Sequence, residues 1–97
     1  MKVVFSPRSE EDLEEIADFI ARDSPRRAVR FIAEVRVTCE KLADAPLGYE
    51  LQPQLDPGIR RTVHGRYLIF YSVEPERVRI ERILHGARDL TDDLFDG

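Results

Sequence analysis

Two copies of one helix-start signal near the amino terminus constrain the fold of this chain more than any other feature. Ser6-Pro7 and Ser24-Pro25 each join a hydroxyl that can accept from free backbone N–H groups to a proline preset for the first helical position. Apolar residues follow each signal at helical spacing: Leu13, Ile16, Ala17 and Ile20 after the first, and Ala28, Phe31, Ile32, Val35, Cys39 and Leu42 after the second. Two amphipathic helices with so short a link must run antiparallel, so the sequence predicts an αα-hairpin.

Four short stretches with strand character surround this hairpin. They are residues 2–5, 59–64, 67–73 and 78–84. A long loop with prolines and glycines, residues 46–58, separates the second helix from the last three, which short turns join into an antiparallel meander. The predicted fold is therefore α+β with the order β-α-α-β-β-β, in which the helical hairpin packs on one face of a small, mainly antiparallel sheet.

Composition limits the classes to which the chain can belong. Its 97 residues, 35% charged and 42% hydrophobic, predict one globular domain over residues 1–97. No apolar run approaches the roughly 20 residues that cross a bilayer, and the amino terminus lacks a signal-peptide core, so no membrane association is expected. A single cysteine excludes an internal disulfide and a cysteine zinc cluster. These features predict a cytoplasmic protein.

Charge is distributed unevenly along the chain. The net charge of −4 disfavours strong nonspecific nucleic-acid binding, and no sequence-specific binding is expected either. Residues 8–23 are mainly acidic, residues 58–88 are mainly basic, and residues 89–97 form an acidic carboxy-terminal tail. The motifs of phosphate-binding loops, nucleophile elbows and zinc hydrolases are absent, so we expect neither a metal nor an organic cofactor.

The last predicted strand contains residues that break its pattern. Strict alternation places Arg82 on one face together with Val78, Ile80 and Leu84, where an apolar side chain is expected. Three explanations are open: a strand end or bulge that lets the guanidinium reach water, an ion pair with a nearby acid, or a concave sheet face with Arg82 at its rim. His85 ends the strand, where a histidine is more often structural than catalytic.

We expect a partner-binding surface along this end of the sheet. Because Arg60 and Arg61 point to opposite faces of their strand, one of them at most joins any patch. The candidate residues for the surface are Arg60, Arg61, Arg66, Arg82, His85 and Arg88. Cys39 belongs to the helix stripe and is expected to be an inert packing residue.

Three segments together resemble a known family. VVFSPRSEEDLEEIADFIARDSP at the start, GIRR followed by GRYLIFY, and RVRIERILHGARDL near the end are similar to the ParE branch of the RelE/ParE toxins of bacterial type II toxin–antitoxin systems. The resemblance covers nearly the whole chain and implies the same β-α-α-β-β-β fold. It further implies a toxin that inhibits DNA gyrase by binding, without catalytic residues of its own.

The same resemblance implies a cognate antitoxin as partner. Antitoxins of this family are commonly dimeric DNA-binding proteins whose flexible tail wraps the toxin with a helix and a strand. A sheet edge and the apolar groove of a helical hairpin suit such a tail. The basic stretch 58–88 would attract an acidic one.

An enzyme is the rival interpretation. The RelE branch cuts messenger RNA, and Arg66 and His85 stand near positions where some of those nucleases carry an arginine and a histidine. Arg82 could stabilise phosphate charge and Glu50 could act as base. Gly86-Ala87 stands where those nucleases place a tyrosine or another polar group, and the acidic composition also disfavours RNA cleavage. A degenerate, non-toxic family member is the third possibility.

Overall fold

The elements of the computed structural model, which describes residues 1–87 and residue 95, follow the predicted order. They are β1 (Lys2–Phe5), α1 (Pro7–Ala21), α2 (Pro25–Glu40), two short 3-10 turns (Lys41–Asp44 and Pro46–Gly48), β2 (Ile59–His64), β3 (Tyr67–Val73) and β4 (Arg77–His85). The described strands form one sheet in the order β1-β4-β3-β2, in which β1 runs parallel to β4 and the other neighbours are antiparallel. The predicted α+β fold is confirmed.

Both helices begin at the predicted serines. The Ser6 hydroxyl accepts from the Ser9 N–H at 3.0 Å, and the Ser24 hydroxyl accepts from the Arg27 N–H at 3.2 Å. Ser6 is also joined to β4, because its own N–H donates to the Ile80 carbonyl and its hydroxyl donates to the Glu81 carbonyl, both at 2.9 Å. The start of α1 is thus fixed to the sheet, whereas the Ser24 cap is exposed.

Apolar side chains cover both faces of the central strand β3. The first cluster lies between the helices and the sheet and contains Leu13, Ile16, Val35, Cys39, Leu42, Ile69, Tyr71, Val78, Ile80 and Ile83. The second cluster contains Leu55, Ile59, Phe70 and Leu84, with Leu68 and Phe95 packed against it. Since Phe70 alternates with Ile69 and Tyr71 along β3, this second cluster lies on the opposite face.

Two buried groups in the first cluster are held neutral. Burial raises the pKa of the Cys39 thiol to about 12, so it stays protonated near neutral pH and does not act as a nucleophile. Burial also raises the pKa of Tyr71 to about 12, and the phenol donates to the Pro46 carbonyl at 2.7 Å. Tyr71 therefore anchors the loop that leads to β2.

Within the described residues, none of the helices combines the length and apolar character that a membrane crossing would need. The predicted tail, residues 89–97, lies outside the described part of the chain except for Phe95. The Phe95 ring packs edge-on against Phe70, with centroids 5.4 Å apart.

Candidate functional site

A β-bulge in β4 decides where the polar residues of the last strand point. Tyr71 pairs with Ile80 and Phe70 pairs with Arg82, so Glu81 is an extra residue on β4. Directly paired residues point to the same face, and Arg82 and Leu84 therefore share the face of Phe70. The prediction that Arg82 shares a face with Val78 and Ile80 is wrong, because strict alternation does not allow for an inserted residue.

Arg82 forms a buried ion pair with Asp12 of α1. Its Nε lies 2.8 Å from Oδ2 of Asp12 and its Nη2 lies 2.9 Å from Oδ1, while Oδ2 also accepts from the Ile83 N–H at 2.9 Å. Arg82 is 4% exposed and Asp12 is 5% exposed. The hydrogen bonds to Asp12 raise the pKa of Arg82 further, so the guanidinium stays charged. Of the three explanations for Arg82, the ion pair with a nearby acid is therefore correct. The strand also has a bulge, but the bulge does not expose the guanidinium to water.

Asp12 is a partner of the last strand that sequence reasoning missed. A signal for it existed, because Asp12 lies one turn after Ser9 and one turn before Ile16, on the side of α1 that is buried. An acid on a buried helix face and an arginine on a buried strand are each rarely buried without an opposite charge, so each predicts the other as its partner.

His85 lies exposed at the end of β4. Its Nδ1 accepts from the Ala87 N–H at 3.1 Å, which places the ring proton on Nε2 in a neutral imidazole. Its ring meets Tyr67 edge-on, with centroids 5.4 Å apart. His85 borders a cavity of about 180 Å³, which we name the His85 pocket; its lining residues are Asp12, Glu15, Ile16, Phe19, Tyr67, Ile83, Leu84 and His85.

Arg66 lies close to His85. It follows Gly65, which has a φ of +59°, in the turn between β2 and β3, and its carbonyl accepts from the Gly86 N–H at 2.8 Å. A Cβ at position 86 would come within 3.3 Å of that carbonyl oxygen, so a glycine lets the two segments approach. The fold thus brings the backbone of Arg66 next to Gly86, the residue that follows His85. Arg88 lies outside the described residues.

The adjacent arginines of β2 have different surroundings, and they point to opposite faces as alternation predicts. Arg60 pairs with Tyr71 and donates to the carbonyls of Leu47 at 3.3 Å and Tyr49 at 2.6 Å. It therefore holds the loop before β2. Arg61 pairs with Phe70 and so lies on the face of the second cluster, half-buried.

Glu50 is not brought next to His85. Its carbonyl accepts from the Arg61 N–H at 3.1 Å, so it lies along the outer edge of β2. His85 belongs to β4, with β2 and β3 between them. At about 4.8 Å per strand this places the two roughly 14 Å apart across the sheet.

A second surface feature lies between the helices and was not predicted in detail. A cavity of about 430 Å³, here named the hairpin groove, is lined by Ala17, Asp18, Ala21, Pro25, Ala28, Val29 and Ile32. Val29 is 74% exposed. The exposed arginines at this end of the hairpin are Arg22, Arg26, Arg27 and Arg30. Within the described part of the chain, none of the four forms an ion pair.

Comparisons with known proteins agree with this architecture. The family model of the ParE toxin of the type II toxin–antitoxin system parDE matches residues 3–90. A chain from the chromosomal ParDE system of P. aeruginosa superposes with a TM-score of 0.74 at 18% identity, over 88% of this chain and 95% of that chain, a likeness of fold. A chain from the RelBE2 toxin–antitoxin complex of Mycobacterium tuberculosis gives 0.61 at 25% identity, over 90% and 92%. Among curated proteins, no sequence matches.

Proposed function

This chain belongs to the ParE toxin family of type II toxin–antitoxin systems, and on that premise we propose that it inhibits DNA gyrase by binding and is neutralised by a cognate antitoxin. The observation that carries the choice of a binder over a nuclease is the Arg82–Asp12 ion pair. A guanidinium that is buried and held by both oxygens of a carboxylate is not free to stabilise the charge of a scissile phosphate.

Two further observations oppose a nuclease. General acid–base catalysis needs groups within hydrogen-bond reach of the reacting atoms. Glu50 lies on the far edge of β2, and one nitrogen of His85 is already occupied by the Ala87 N–H. The proposed toxin therefore acts through its surface, and Arg61, Arg66 and His85 remain our candidates for contact with the target.

Messenger RNA cleavage of the RelE type is the second candidate. It is favoured by one observation, the closeness of the Arg66 backbone to the end of β4, where the Gly86 N–H beside His85 donates to the Arg66 carbonyl. An arginine and a histidine near one another are among the groups that phosphodiester cleavage uses. It lacks a third group, however, because Arg82 and Glu50 are both held elsewhere.

The hairpin groove is the site that we propose for the antitoxin. Its lining is almost entirely apolar, and the arginines at the end of the hairpin would attract acidic residues beside an apolar helix stripe. The outer edge of β2 and the end of β4 beyond β1 offer less, because residues 50–52 already bond to Ile59 and Arg61 on β2 and Asp12 accepts from Ile83 on β4. We therefore expect an acidic, amphipathic antitoxin helix.

Growth and enzyme assays test the proposal in sequence. Expression of the chain alone should arrest bacterial growth, co-expression with its antitoxin should restore it, and the purified protein should inhibit supercoiling by gyrase and accumulate cleaved DNA. Normal growth would favour the degenerate, non-toxic alternative. Growth arrest with unaffected gyrase would eliminate the proposed target, and messenger RNA cleavage that a His85→Ala variant abolishes would establish the nuclease.

A further inference from the structure

The His85 pocket combines aromatic walls with a carboxylate that lacks an ion-pair partner among the described residues. From this combination we infer that the pocket is a binding site for a cationic side chain, an arginine presented by a protein partner. The inference concerns the chemistry of one pocket and holds whether or not gyrase is the target of the toxin.

The rings supply the first part of the argument. Phe19, Tyr67 and His85 all line the pocket, and Phe19 is 63% exposed. The faces of aromatic rings carry negative electrostatic potential and attract cations, above all a weakly hydrated, planar guanidinium. The molecule already uses this contact, because the guanidinium carbon of Arg22 lies 5.9 Å from the centroid of Phe19 and that of Arg36 lies 4.9 Å from the centroid of Phe5.

The balance of charge supplies the second part. Asp12 and Glu15 line the pocket, and Glu11 is close enough to act electrostatically on Arg82. Asp12 is paired with Arg82, whereas Glu15 forms no ion pair with another described residue. No arginine or lysine belongs to the pocket lining in the described part of the chain. The carboxylate available to a bound cation is therefore that of the exposed Glu15.

The shape of the pocket selects the kind of cation. Its apolar walls, Ile16, Ile83 and Leu84, suit the methylene stem of a long side chain whose charged end reaches Glu15 and the rings. At about 180 Å³ it can take one side chain and not a helix. The hairpin groove offers a contrast, because it is lined by no aromatic residue.

A titration followed by ¹H–¹⁵N NMR tests the inference on the full chain. The probes are Nα-acetyl-arginine N-methylamide, its uncharged isostere Nα-acetyl-citrulline N-methylamide, and spermidine. We expect saturable shifts of the amide signals of Glu15, Phe19 and His85 with the arginine derivative and none with the citrulline derivative. Equal shifts with both, or no saturation with either, would overturn the inference, as would binding of spermidine alone.

Two variants and a control locate the site. Glu15→Gln removes the charge and Phe19→Leu removes the ring from exposed positions, so neither should unfold the protein. Each should weaken binding of the arginine derivative by about fivefold. Glu14→Gln changes the neighbouring exposed acid, which does not line the pocket, and should leave binding unchanged. An equal loss in all three variants would mean nonspecific attraction and would overturn the assignment.

Discussion

The starts of α1 and α2 share one sequence signal and have opposite roles. At the start of α1, Ser6 and Asp12 bond to the Ile80, Glu81, Arg82 and Ile83 region of β4. At the start of α2, the Ser24 cap is exposed and the arginines around it form no ion pair with another described residue. The start of α1 therefore stabilises the fold, whereas the start of α2 remains an exposed surface. A local signal therefore predicts a helix but not what the helix is used for.

Removing Asp12 is the strongest way to test this difference. Asp12→Ala removes the carboxylate that pairs with the buried Arg82 and accepts from the Ile83 N–H, so we expect a loss of about 3–5 kcal/mol in the free energy of unfolding. Urea denaturation measures it. The control is Glu10→Ala, which removes an exposed ion pair with Arg36 and should cost less than about 1 kcal/mol. Equal losses would mean that the buried pair with β4 stabilises the fold no more than an exposed pair does.

The two serine caps allow the same substitution to be compared at the start of α1 and at the start of α2. Ser6→Ala removes a helix cap and also leaves the Glu81 carbonyl without its donor, so we expect a loss of about 2 kcal/mol. Ser24→Ala removes only an exposed cap, and we expect about 0.5–1 kcal/mol. The measurement is again the free energy of unfolding. If Ser24→Ala costs as much as Ser6→Ala, the bond from the Ser6 hydroxyl to the Glu81 carbonyl contributes nothing.

The open start of α2 should be important for binding and unimportant for stability. Val29→Asp places a charge in the hairpin groove at a side chain that is 74% exposed, so stability should change by less than about 0.5 kcal/mol. Binding of the antitoxin, measured by calorimetry, should weaken by about tenfold or more. Val37→Asp is the control on the same helix, 54% exposed and outside the groove. Unchanged binding by Val29→Asp would remove the groove from the proposed interface.

Arg66 should have the smallest effect on the fold. Its side chain is exposed, so Arg66→Gln should leave the free energy of unfolding within about 0.5 kcal/mol of the parent. If Arg66 contacts the target, this stable variant should still lose growth arrest, which colony counts after induction would measure. A variant that remains toxic would exclude Arg66 from the target surface.

Most of the fold could be predicted from local signals, because each of these signals depends on only a few residues that are adjacent in the sequence. The caps, the helix stripes and the meander follow from serine, proline and alternating apolar residues within a few positions of one another. The position of Arg82 did not follow, since it depends on a bulge between β3 and β4 and on an aspartate in α1. Contacts between residues so distant in sequence leave no local pattern.

The candidate site was harder to predict for the same reason. The closeness of Arg66 to His85 follows from the order of β3 and β4, which the sequence indicated. Arg60 donates to the carbonyls of Leu47 and Tyr49, so its guanidinium is not available to a partner. This contact depends on how residues 46–52 fold back on β2. The sequence shows that an arginine is charged, but its neighbours in the fold determine whether the guanidinium can contact a partner.

The place of β4 in the sheet has a consequence for the order of synthesis and folding. It is the last of the described strands to leave the ribosome, yet it lies between β1 and β3 and supplies side chains to both apolar clusters. Until residues 77–85 emerge, β1 has no strand to pair with and the start of α1 has no bonds to the sheet. We therefore expect the nascent chain to remain without its sheet core until residues 77–85 have left the ribosome, so that an antitoxin already present in the cell meets each new molecule as soon as it can fold.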